Sequence, residues 1–372
     1  MPEPIRVLQV VARMNMAGTE TMLMNFYRNI DREKVQFDFA VCTEEHCDYE
    51  DEILSMGGRI IRYPQYRGKN HFSYRKWWSE FFRNNREYKI VHGHIGSTAA
   101  IYLSIAKKHG CYTIAHSHGT LEPISLRSIV WRMYSYPTRY VADYFFGCSM
   151  AALETRYGAR IAHNKEVSKV LNNAIDASKF VYDPSVREEV RKKLSISPNE
   201  WILGTVGRLS APKNPKMTLS IIEELKNRGE VFRFLWVGEG ELRSMIEEEI
   251  SRRKLSDTVI MLGLRNDIPR ILQAMDVFIF PSIWEGLGIV AVEAQAAGLL
   301  TLCSDQIPQE AKVTNMCHYV PVGDTTQWVD AIVNSRGYER TNTLDSLVAG
   351  GYDIHAAADW LQSFYLNKHY GD

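Results

Sequence analysis

The sequence predicts an α/β protein made of two Rossmann-like domains, each built on a doubly wound parallel sheet. Short apolar runs of strand character alternate with amphipathic segments of helical period, and this alternation is typical of βαβ units. The alternation falls into two successive series, and 372 residues is a length typical of two domains. We expect two such domains to face each other across a cleft.

The first series begins with a strand at residues 6–11, a loop at 12–18 and a helix at 19–30. The helix is predicted because Met22, Leu23 and Phe26 recur on one face at helical spacing. The further strands of this series are predicted at residues 37–42, 59–63, 90–94, 112–116, 144–148 and 167–171. A helix is predicted at residues 73–88, because the aromatic residues of this segment share one helical face.

The second series follows the same rule, with apolar β-branched and aromatic runs separated by helical segments. Its strands are predicted at residues 201–206, 232–237, 259–262, 277–280, 299–303 and 319–320. A terminal helix is predicted at about residues 354–366.

The stretch at residues 276–305 organises the second series as strand, loop, helix and strand. Pro281 ends the first strand, and the loop contains Gly286 and Gly288, which allow backbone to approach a ligand closely. Gly298 stands where a glycine commonly ends a helix. Such a loop lies at the carboxyl edge of an open parallel sheet, and the following helix N-terminus is a ready site for phosphate.

Within this stretch, PSIWEGLGIVAVEAQAAG resembles the signature of the retaining glycosyltransferases of family 4, which carry Glu, seven residues and Glu at this place. The resemblance implies a GT-B fold, with Glu285 engaging the transferred sugar and Glu293 anchoring the donor ribose. It also implies that the intervening Gly286, Leu287, Gly288 and Ile289 contact the donor.

The resemblance also divides the chain, because residues 172–180 are similar to the family's inter-domain crossing, with Ala174 in place of the usual glycine. It implies an acceptor-binding domain at residues 1–172 and a nucleotide-sugar-binding domain at 173–353. The terminal helix, at about residues 354–372, is then expected to pack back on the first domain.

Five further positions are implied to bind the donor. Arg208 and Lys213 follow the first strand of the second series, where a fork and a point charge can offset a diphosphate. By resemblance, Gly263 and Leu264 would receive the nucleotide base. Gly18 opens the first helix, although Ala17 replaces the first glycine of the family's usual pair.

Paired histidines end two neighbouring strands of the first series: His92 with His94, and His116 with His118. Alternate residues of a strand share a face, so a metal site is geometrically conceivable. Carboxylates with metal-ligand spacing are lacking nearby, and we expect no metal and no other cofactor. The resemblance instead identifies His118 as the active-site histidine that reaches the sugar, with His116 as the alternative.

Composition bears on location and partners. The opening segment lacks a signal-peptide layout, and the six cysteines form no CxxC pair, which favours a cytoplasmic protein. Residues 1–172 carry 23 Lys and Arg against 17 Asp and Glu, and the remainder carries 21 against 27. The segment 123–142 interleaves aromatic residues with Arg127, Arg132 and Arg139 and contains no acid, so we expect peripheral docking on anionic lipid at the inner face of the plasma membrane.

The resemblance implies a glycosyltransferase similar to bacterial capsular and exopolysaccharide enzymes. It would move a sugar from a nucleotide-diphosphate donor, with UDP favoured, to a lipid-linked glycan or growing polysaccharide, with retention at the anomeric carbon. The alternatives are a nucleotide-sugar epimerase of similar fold and a non-catalytic nucleotide-sugar-binding protein. A nicotinamide dehydrogenase lacks its GxGxxG motif, and the near-neutral pI disfavours a nucleic-acid partner.

Overall fold

The computed structural model describes residues 3–119 and 132–371, and the chain divides into two compact units. One unit comprises Met1–Ala174 together with Ile354–Asp372, and the other comprises Ile175–Asp353. In the described ranges the first unit holds a seven-stranded sheet and the second a six-stranded sheet, both parallel throughout. Two Rossmann-like domains are thereby confirmed.

The first sheet is formed by strands β1 Ile5–Val10, β2 Val35–Val41, β3 Ile60–Arg62, β4 Ile90–Gly93, β5 Tyr112–Ser117, β6 Tyr144–Gly147 and β7 Ser168–Val170. They lie side by side in the order β3-β2-β1-β4-β5-β6-β7. The helices of this part of the chain are α1 Gly18–Asn29, α2 Glu50–Ser55, α3 His71–Asn84, α4 Ala99–Lys108, α5 Met150–Tyr157 and α6 Ala159–Ala162.

The second sheet is formed by strands β8 Ile202–Val206, β9 Arg233–Val237, β10 Val259–Gly263, β11 Val277–Phe280, β12 Leu300–Ser304 and β13 Cys317–Val320. Their order is β10-β9-β8-β11-β12-β13. The helices here are α7 Pro184–Lys193, α8 Pro215–Asn227, α9 Arg243–Arg252, α10 Ile268–Ala274, α11 Ile289–Ala296, α12 Thr325–Val333 and α13 Leu344–Ala349, and α14 Ile354–Tyr370 ends the chain.

The strand order of the second sheet reverses between β8 and β11. The chain moves from β8 outward to β9 and β10, then returns across β8 to continue with β11, β12 and β13. In open parallel sheets a ligand crevice forms at such a reversal, outside the carboxyl ends of the strands. The topology therefore directs attention to the loops that follow β8 and β11.

The strands were predictable because both faces of each sheet are covered, so the strands are almost continuously apolar. All seven residues of β2 are buried, including Asp38, whose carboxylate lies 2.6 Å from the Arg6 guanidinium and accepts a 2.7 Å hydrogen bond from the Tyr88 hydroxyl. Pairing a buried carboxylate in this way offsets its loss of hydration. The Tyr88 contact also brings the chain from α3 back to the sheet.

Helix α14 packs against α1 and the strands of the first unit. The Tyr365 ring meets Phe37 edge-on at 5.8 Å, and the Phe364 ring lies 4.8 Å from Tyr144. The Lys169 ammonium lies 4.3 Å from the centre of the Trp360 ring. The last helix of the chain thus completes the core of the unit that begins it.

In the second unit, Asp276 links α7 to the start of β11. Its carboxylate accepts hydrogen bonds from Arg187 at 2.5 Å, from Arg191 at 2.8 Å and from the Ile202 amide at 2.7 Å. Arg191 is 3% exposed and also donates to the carbonyls of residues that follow α7. This network fixes the base of the strand whose other end carries the Glu285 loop.

Element ends differ from the sequence prediction by a few residues. The largest difference is α3, predicted at residues 73–88 and found at His71–Asn84. The backbone leaves helical geometry at Asn85, and Tyr88 is then buried against the sheet rather than on a helix face. Among the described residues, every helix is too short or too polar to cross a bilayer.

Candidate functional site

The candidate donor site lies where β8, β9, β10 and β11 end side by side. The loops after these strands are tied together by backbone hydrogen bonds: Gly207 to Val237 at 3.0 Å, and Gly238 to Gly263 at 2.9 Å. Gly238 has a φ of +134°, and a Cβ there would collide with the Gly207 carbonyl, so glycine is required for this close approach. The result is a shallow edge lined by backbone, beside the chain reversal.

Lys213 and Glu285 form the central charged pair of this edge. The Lys213 ammonium lies 2.5 Å from the Glu285 carboxylate and 4.8 Å from the centre of the Phe280 ring. The lysine side chain is 26% exposed and the glutamate side chain 13% exposed. A lysine in such a place is a point charge that a second anion can also approach. The sequence predicted both residues at the site but did not predict that they would bind each other.

The Glu285 loop leads into the N-terminus of α11. Gly288 precedes the helix with a φ of +84°, and an added Cβ would lie 3.1 Å from the Phe280 ring. No side chain caps the helix, so its first amide groups remain available to an anion. The Leu287 side chain is buried in the core, which leaves the loop backbone of residues 286–289 as the part that faces a ligand.

Glu293 lies just over one turn inside α11. Burial raises the pKa of its carboxyl to about 7, because loss of water disfavours the charged form. The residue is only partly enclosed, and within the described residues its carboxylate makes no hydrogen bond or ion pair. A carboxylate kept in this state gains from any ligand that donates hydrogen bonds to it.

Arg208 and Leu264 are more open than the sequence suggested. The Arg208 side chain is 73% exposed, and its guanidinium lies 3.4 Å from Glu241. Leu264 is 81% exposed, directly after Gly263, whose φ is +64°. Both residues stand at the correct edge of the sheet, on its solvent side.

Two contributors were missed. Phe280 was assigned only to a strand, yet its ring contacts the Lys213 ammonium. Ser282 is fully buried, its carbonyl accepts a hydrogen bond from Ser304, and its own hydroxyl lacks a partner in the described residues. The available signal was the Pro-Ser turn directly after β11, which places a small polar group beside the Glu285 loop.

The first unit gathers all four histidines at the ends of β4 and β5. His94 Nδ1 lies 2.8 Å from His118 Nε2, and the His116 and His118 rings stack with centroids 4.1 Å apart. Burial lowers the pKa of each of the four imidazoles, that of His118 to about 3, so all four are neutral near pH 7. Gly18 opens α1 in the same unit and is exposed, with free space around it.

Ring orientation bears on whether this cluster could hold a metal. Nitrogen atoms of His92, His94 and His116 lie within 4.8 Å of one another. The His92 and His116 rings, however, stack at 5.3 Å with only 12° between their planes. An imidazole binds a metal in its own plane, and nearly parallel, displaced planes do not meet at one nearby point. As they stand, the His92 and His116 rings therefore do not converge on one metal ion.

The arginines proposed to meet a membrane are partly engaged in the protein. Arg127 lies outside the described residues. Arg139 donates a 3.0 Å hydrogen bond to the Arg156 carbonyl, and its guanidinium lies 3.9 Å from the centre of the Tyr136 ring. Arg132 is partly buried. The neighbouring exposed surface is instead apolar and aromatic, formed by Met133, Tyr134, Tyr136 and Tyr140.

The chain is similar in sequence to known glycosyltransferases. Residues 186–332 match the family model described as Glycosyl transferases group 1. The chain is 30% identical over 375 residues to EpsF of Bacillus subtilis (strain 168), which carries a glycosyltransferase name, covering 97% of this chain and 96% of EpsF. It is 26% identical over 304 residues to the UDP-Gal:alpha-D-GlcNAc-diphosphoundecaprenol alpha-1,3-galactosyltransferase of Escherichia coli, covering 76% of each.

Two solved structures share the fold. Anabaena Alr3699/HepE in complex with UDP superposes with a TM-score of 0.74 at 15% identity, covering 96% of this chain and 94% of that one. A glycosyltransferase from Rickettsia africae ESF-5 superposes with a TM-score of 0.81 at 16% identity, covering 99% of this chain and 100% of that one.

Proposed function

Because the chain belongs to the group 1 family of GT-B glycosyltransferases and is therefore a transferase, we propose that it moves a sugar from a UDP-sugar to a lipid-linked or growing glycan. The observation that carries the proposal is the Lys213–Glu285 pair, which lies beside the uncapped N-terminus of α11 at the strand-order reversal. Cation, helix amides and carboxylate are the groups that a nucleotide-diphosphate sugar requires.

The diphosphate is bound by Lys213 and the first amides of α11. The exposed Arg208 side chain changes its conformation to contact the diphosphate as well. As the bond to the sugar breaks, negative charge grows on the leaving diphosphate, and fixed positive groups there stabilise the transition state. These cations supply the charge compensation, so the proposed reaction uses no metal and no other cofactor at the donor site.

Glu293 accepts hydrogen bonds from the ribose hydroxyls. In the free enzyme its pKa of about 7 leaves it partly protonated at neutral pH, and hydrogen bonds donated by a ribose favour the ionised form. Glu285 engages the transferred sugar, and its bond to Lys213 holds it in place before the donor binds. His118 assists the transfer step, as the family resemblance implies.

Donor and acceptor are proposed from the relatives together with the site. The E. coli relative is named for a UDP-galactose donor and a diphosphoundecaprenol-linked acceptor, and HepE was solved with UDP. Retention of anomeric configuration and placement in family 4 rest on the resemblance of residues 281–298 to that family's signature. We further propose that the enzyme works at the cytoplasmic face of an anionic membrane, where a lipid-linked acceptor is presented.

The proposal is tested by thermal unfolding in the presence of individual nucleotide sugars, since a ligand that binds only the folded protein raises its melting temperature. We expect UDP and one UDP-sugar to stabilise the wild type. Glu285→Gln should keep its affinity for UDP and lose sugar transfer. Nuclear magnetic resonance of the product reports the anomeric configuration. Turnover of the UDP-sugar to its epimer without any acceptor would instead identify an epimerase.

A further inference from the structure

A continuous hydrogen-bonded chain connects the last helix of the protein to His118. The Tyr365 hydroxyl lies 2.7 Å from His92 Nδ1 and 3.4 Å from the Gln9 amide nitrogen. The Gln9 amide oxygen lies 2.9 Å from His94 Nε2, and His94 Nδ1 lies 2.8 Å from His118 Nε2. Gln9 and Tyr365 are fully buried, whereas His94 and His118 are partly exposed.

The chemistry of these groups gives the chain a direction. A phenol hydroxyl has one proton, and the short 2.7 Å contact is that of an O–H donating to the bare Nδ1 of His92. Tyr365 oxygen then accepts from the Gln9 amide nitrogen, which turns the Gln9 oxygen toward His94. Since that oxygen only accepts, His94 must carry its proton on Nε2.

The same reasoning carries on to His118. With its proton on Nε2, neutral His94 has a bare Nδ1, which accepts a hydrogen bond from His118 Nε2–H. The His118 proton is then on Nε2 and its Nδ1 is bare. Within the described residues Nδ1 is buried and lacks a partner, so none of those residues uses its lone pair.

We propose that Gln9, His94 and Tyr365 are positioning residues that hold His118 in one ring orientation and in the Nε2–H tautomer, with Nδ1 as an acceptor. This inference rests on the proposed role of His118 in sugar transfer. The three residues act through His118 and touch no substrate themselves. In this tautomer His118 accepts a hydrogen bond at Nδ1 and does not donate from it.

The stacked neighbours support this assignment. His116 is 2% exposed, and both its ring nitrogens lack partners in the described residues, so His116 is not part of the hydrogen-bonded chain. His118 is the member of the stack that combines partial exposure with a bonded Nε2. The sequence identified His118 by resemblance; the contacts add what fixes its tautomer.

The test reads the tautomer directly, by long-range proton–nitrogen correlation spectra of the protein labelled with 15N-histidine. Signals of His118 are assigned by their loss in His118→Gln. We expect the Nε2–H tautomer in the wild type and in Gln9→Glu, which keeps an acceptor oxygen for His94. Gln9→Met removes that oxygen at similar volume, and His118 should become a mixture of tautomers.

Kinetics provide the second readout. We expect Gln9→Met and Tyr365→Phe to lower kcat roughly 10- to 100-fold, by analogy with the loss of hydrogen-bonded residues that orient metal-bound histidines. KM for the donor should stay within about a factor of two, because the proposed diphosphate and ribose contacts Lys213 and Glu293 lie in the other unit. Gln9→Glu should retain most of kcat, and thermal unfolding confirms that each variant is folded.

The outcomes distinguish the role of His118 in transfer from the role of the residues that position it. A folded His118→Ala enzyme with wild-type kcat would overturn the role of His118 and with it this inference. If His118→Ala is inactive but Gln9→Met keeps both kcat and the Nε2–H tautomer, the positioning chain alone is wrong. A wild-type His118 protonated on Nδ1 would likewise overturn it, since the chain would then run in the opposite direction.

Discussion

At the scale of single residues, the groups of the proposed donor site contact one another in the unliganded protein, and a bound UDP-sugar would replace some of these contacts. The Lys213 ammonium forms a 2.5 Å ion pair with Glu285. Arg208, in contrast, is 73% exposed, and its ion pair with Glu241 is long at 3.4 Å. Exposed ion pairs contribute roughly 0–1 kcal/mol, whereas charge-assisted contacts in a partly buried place contribute more. The two cations are therefore not equivalent.

This difference gives the first prediction. Lys213→Met should weaken UDP binding by roughly 1.5–3 kcal/mol, and Arg208→Met by about 1 kcal/mol or less. Isothermal calorimetry with UDP measures both, and Lys216→Met, on the neighbouring helix α8, is the control. Wild-type UDP affinity in the Lys213/Arg208 double variant would refute the diphosphate assignment.

The second prediction concerns the pH dependence of donor binding through Glu293. If the ionised carboxylate binds the ribose, affinity should rise as pH increases through about 7, because less work is then needed to remove its proton. UDP-glucose and UDP-galactose are suitable probes, since their diphosphates hold the same charge from pH 6 to 8. Glu293→Gln should bind more weakly and show no such rise; equal affinity to the wild type at pH 8 would exclude the ribose role.

The same carboxyl has a converse effect on stability, and the sign follows from its raised pKa. Between about pH 4.5 and 7 the folded state holds a proton that the unfolded state has released, so stability falls as pH rises across this window. The loss is limited to about 3 kcal/mol. Thermal unfolding should therefore show that Glu293→Gln gains stability relative to the wild type at pH 8 and loses this gain at pH 4.5.

The sequence identified candidate site residues but not how they are paired. Lys213 and Glu285 are 72 positions apart, and Gln9 and Tyr365 are 356 apart. Gln9 in particular stands inside the apolar strand IRVLQV and gave no functional signal. Contacts of this kind depend on strand order and register, which local patterns of hydrophobicity do not encode.

At the scale of elements, the loop from β11 to α11 depends on the conformation of Gly288. Its φ of +84° lies in the left-handed region, and its missing Cβ leaves room for the Phe280 ring that supports Lys213. The turn aims the first amides of α11 and fixes Glu285 at once. A change here should affect ligand binding as well as folding.

The third prediction is that Gly288→Ala destabilises the protein by about 1–2 kcal/mol and also weakens UDP binding. Gly323→Ala is the matched control, because Gly323 has a φ of +98° with open space around it. The control should lose a similar amount of stability in chemical denaturation and keep its UDP affinity. Unchanged UDP affinity in Gly288→Ala would show that the loop geometry does not serve the donor.

Elements were predictable where burial is two-sided and less so where it is mixed. The strands were found because the strands of parallel sheets covered on both faces are almost continuously apolar. The end of α3 was predicted four residues too late, because aromatic residues continue past the end of the helix. Tyr88 is buried against the sheet, where its hydroxyl donates to Asp38, and is not part of the helix. An aromatic run shows burial without showing which element provides it.

At the scale of the whole molecule, charge and apolar surface together define how the enzyme could meet its acceptor. The first 172 residues carry a surplus of basic residues and the remainder a surplus of acidic ones. Around residues 132–140 the surface adds Met133, Tyr134, Tyr136 and Tyr140, which are between 48% and 73% exposed. Exposed aromatic and apolar groups beside cations are typical of surfaces that enter the headgroup region of a membrane.

The last prediction is that docking depends more on this exposed surface than on Arg139, whose guanidinium is already bound to the Arg156 carbonyl and the Tyr136 ring. The wild type should co-sediment with vesicles containing anionic lipid at low salt and be released at high salt, because screening weakens each contact. Replacing Met133 and Tyr140 by serine, or Arg127 by glutamine, should reduce binding, with about 1 kcal/mol for the arginine. Arg139→Gln should have a smaller effect, and Arg252→Gln, in the other unit, should have none. Binding that ignores both anionic lipid and salt would exclude electrostatic docking, and undiminished binding of the serine variant would exclude the aromatic surface.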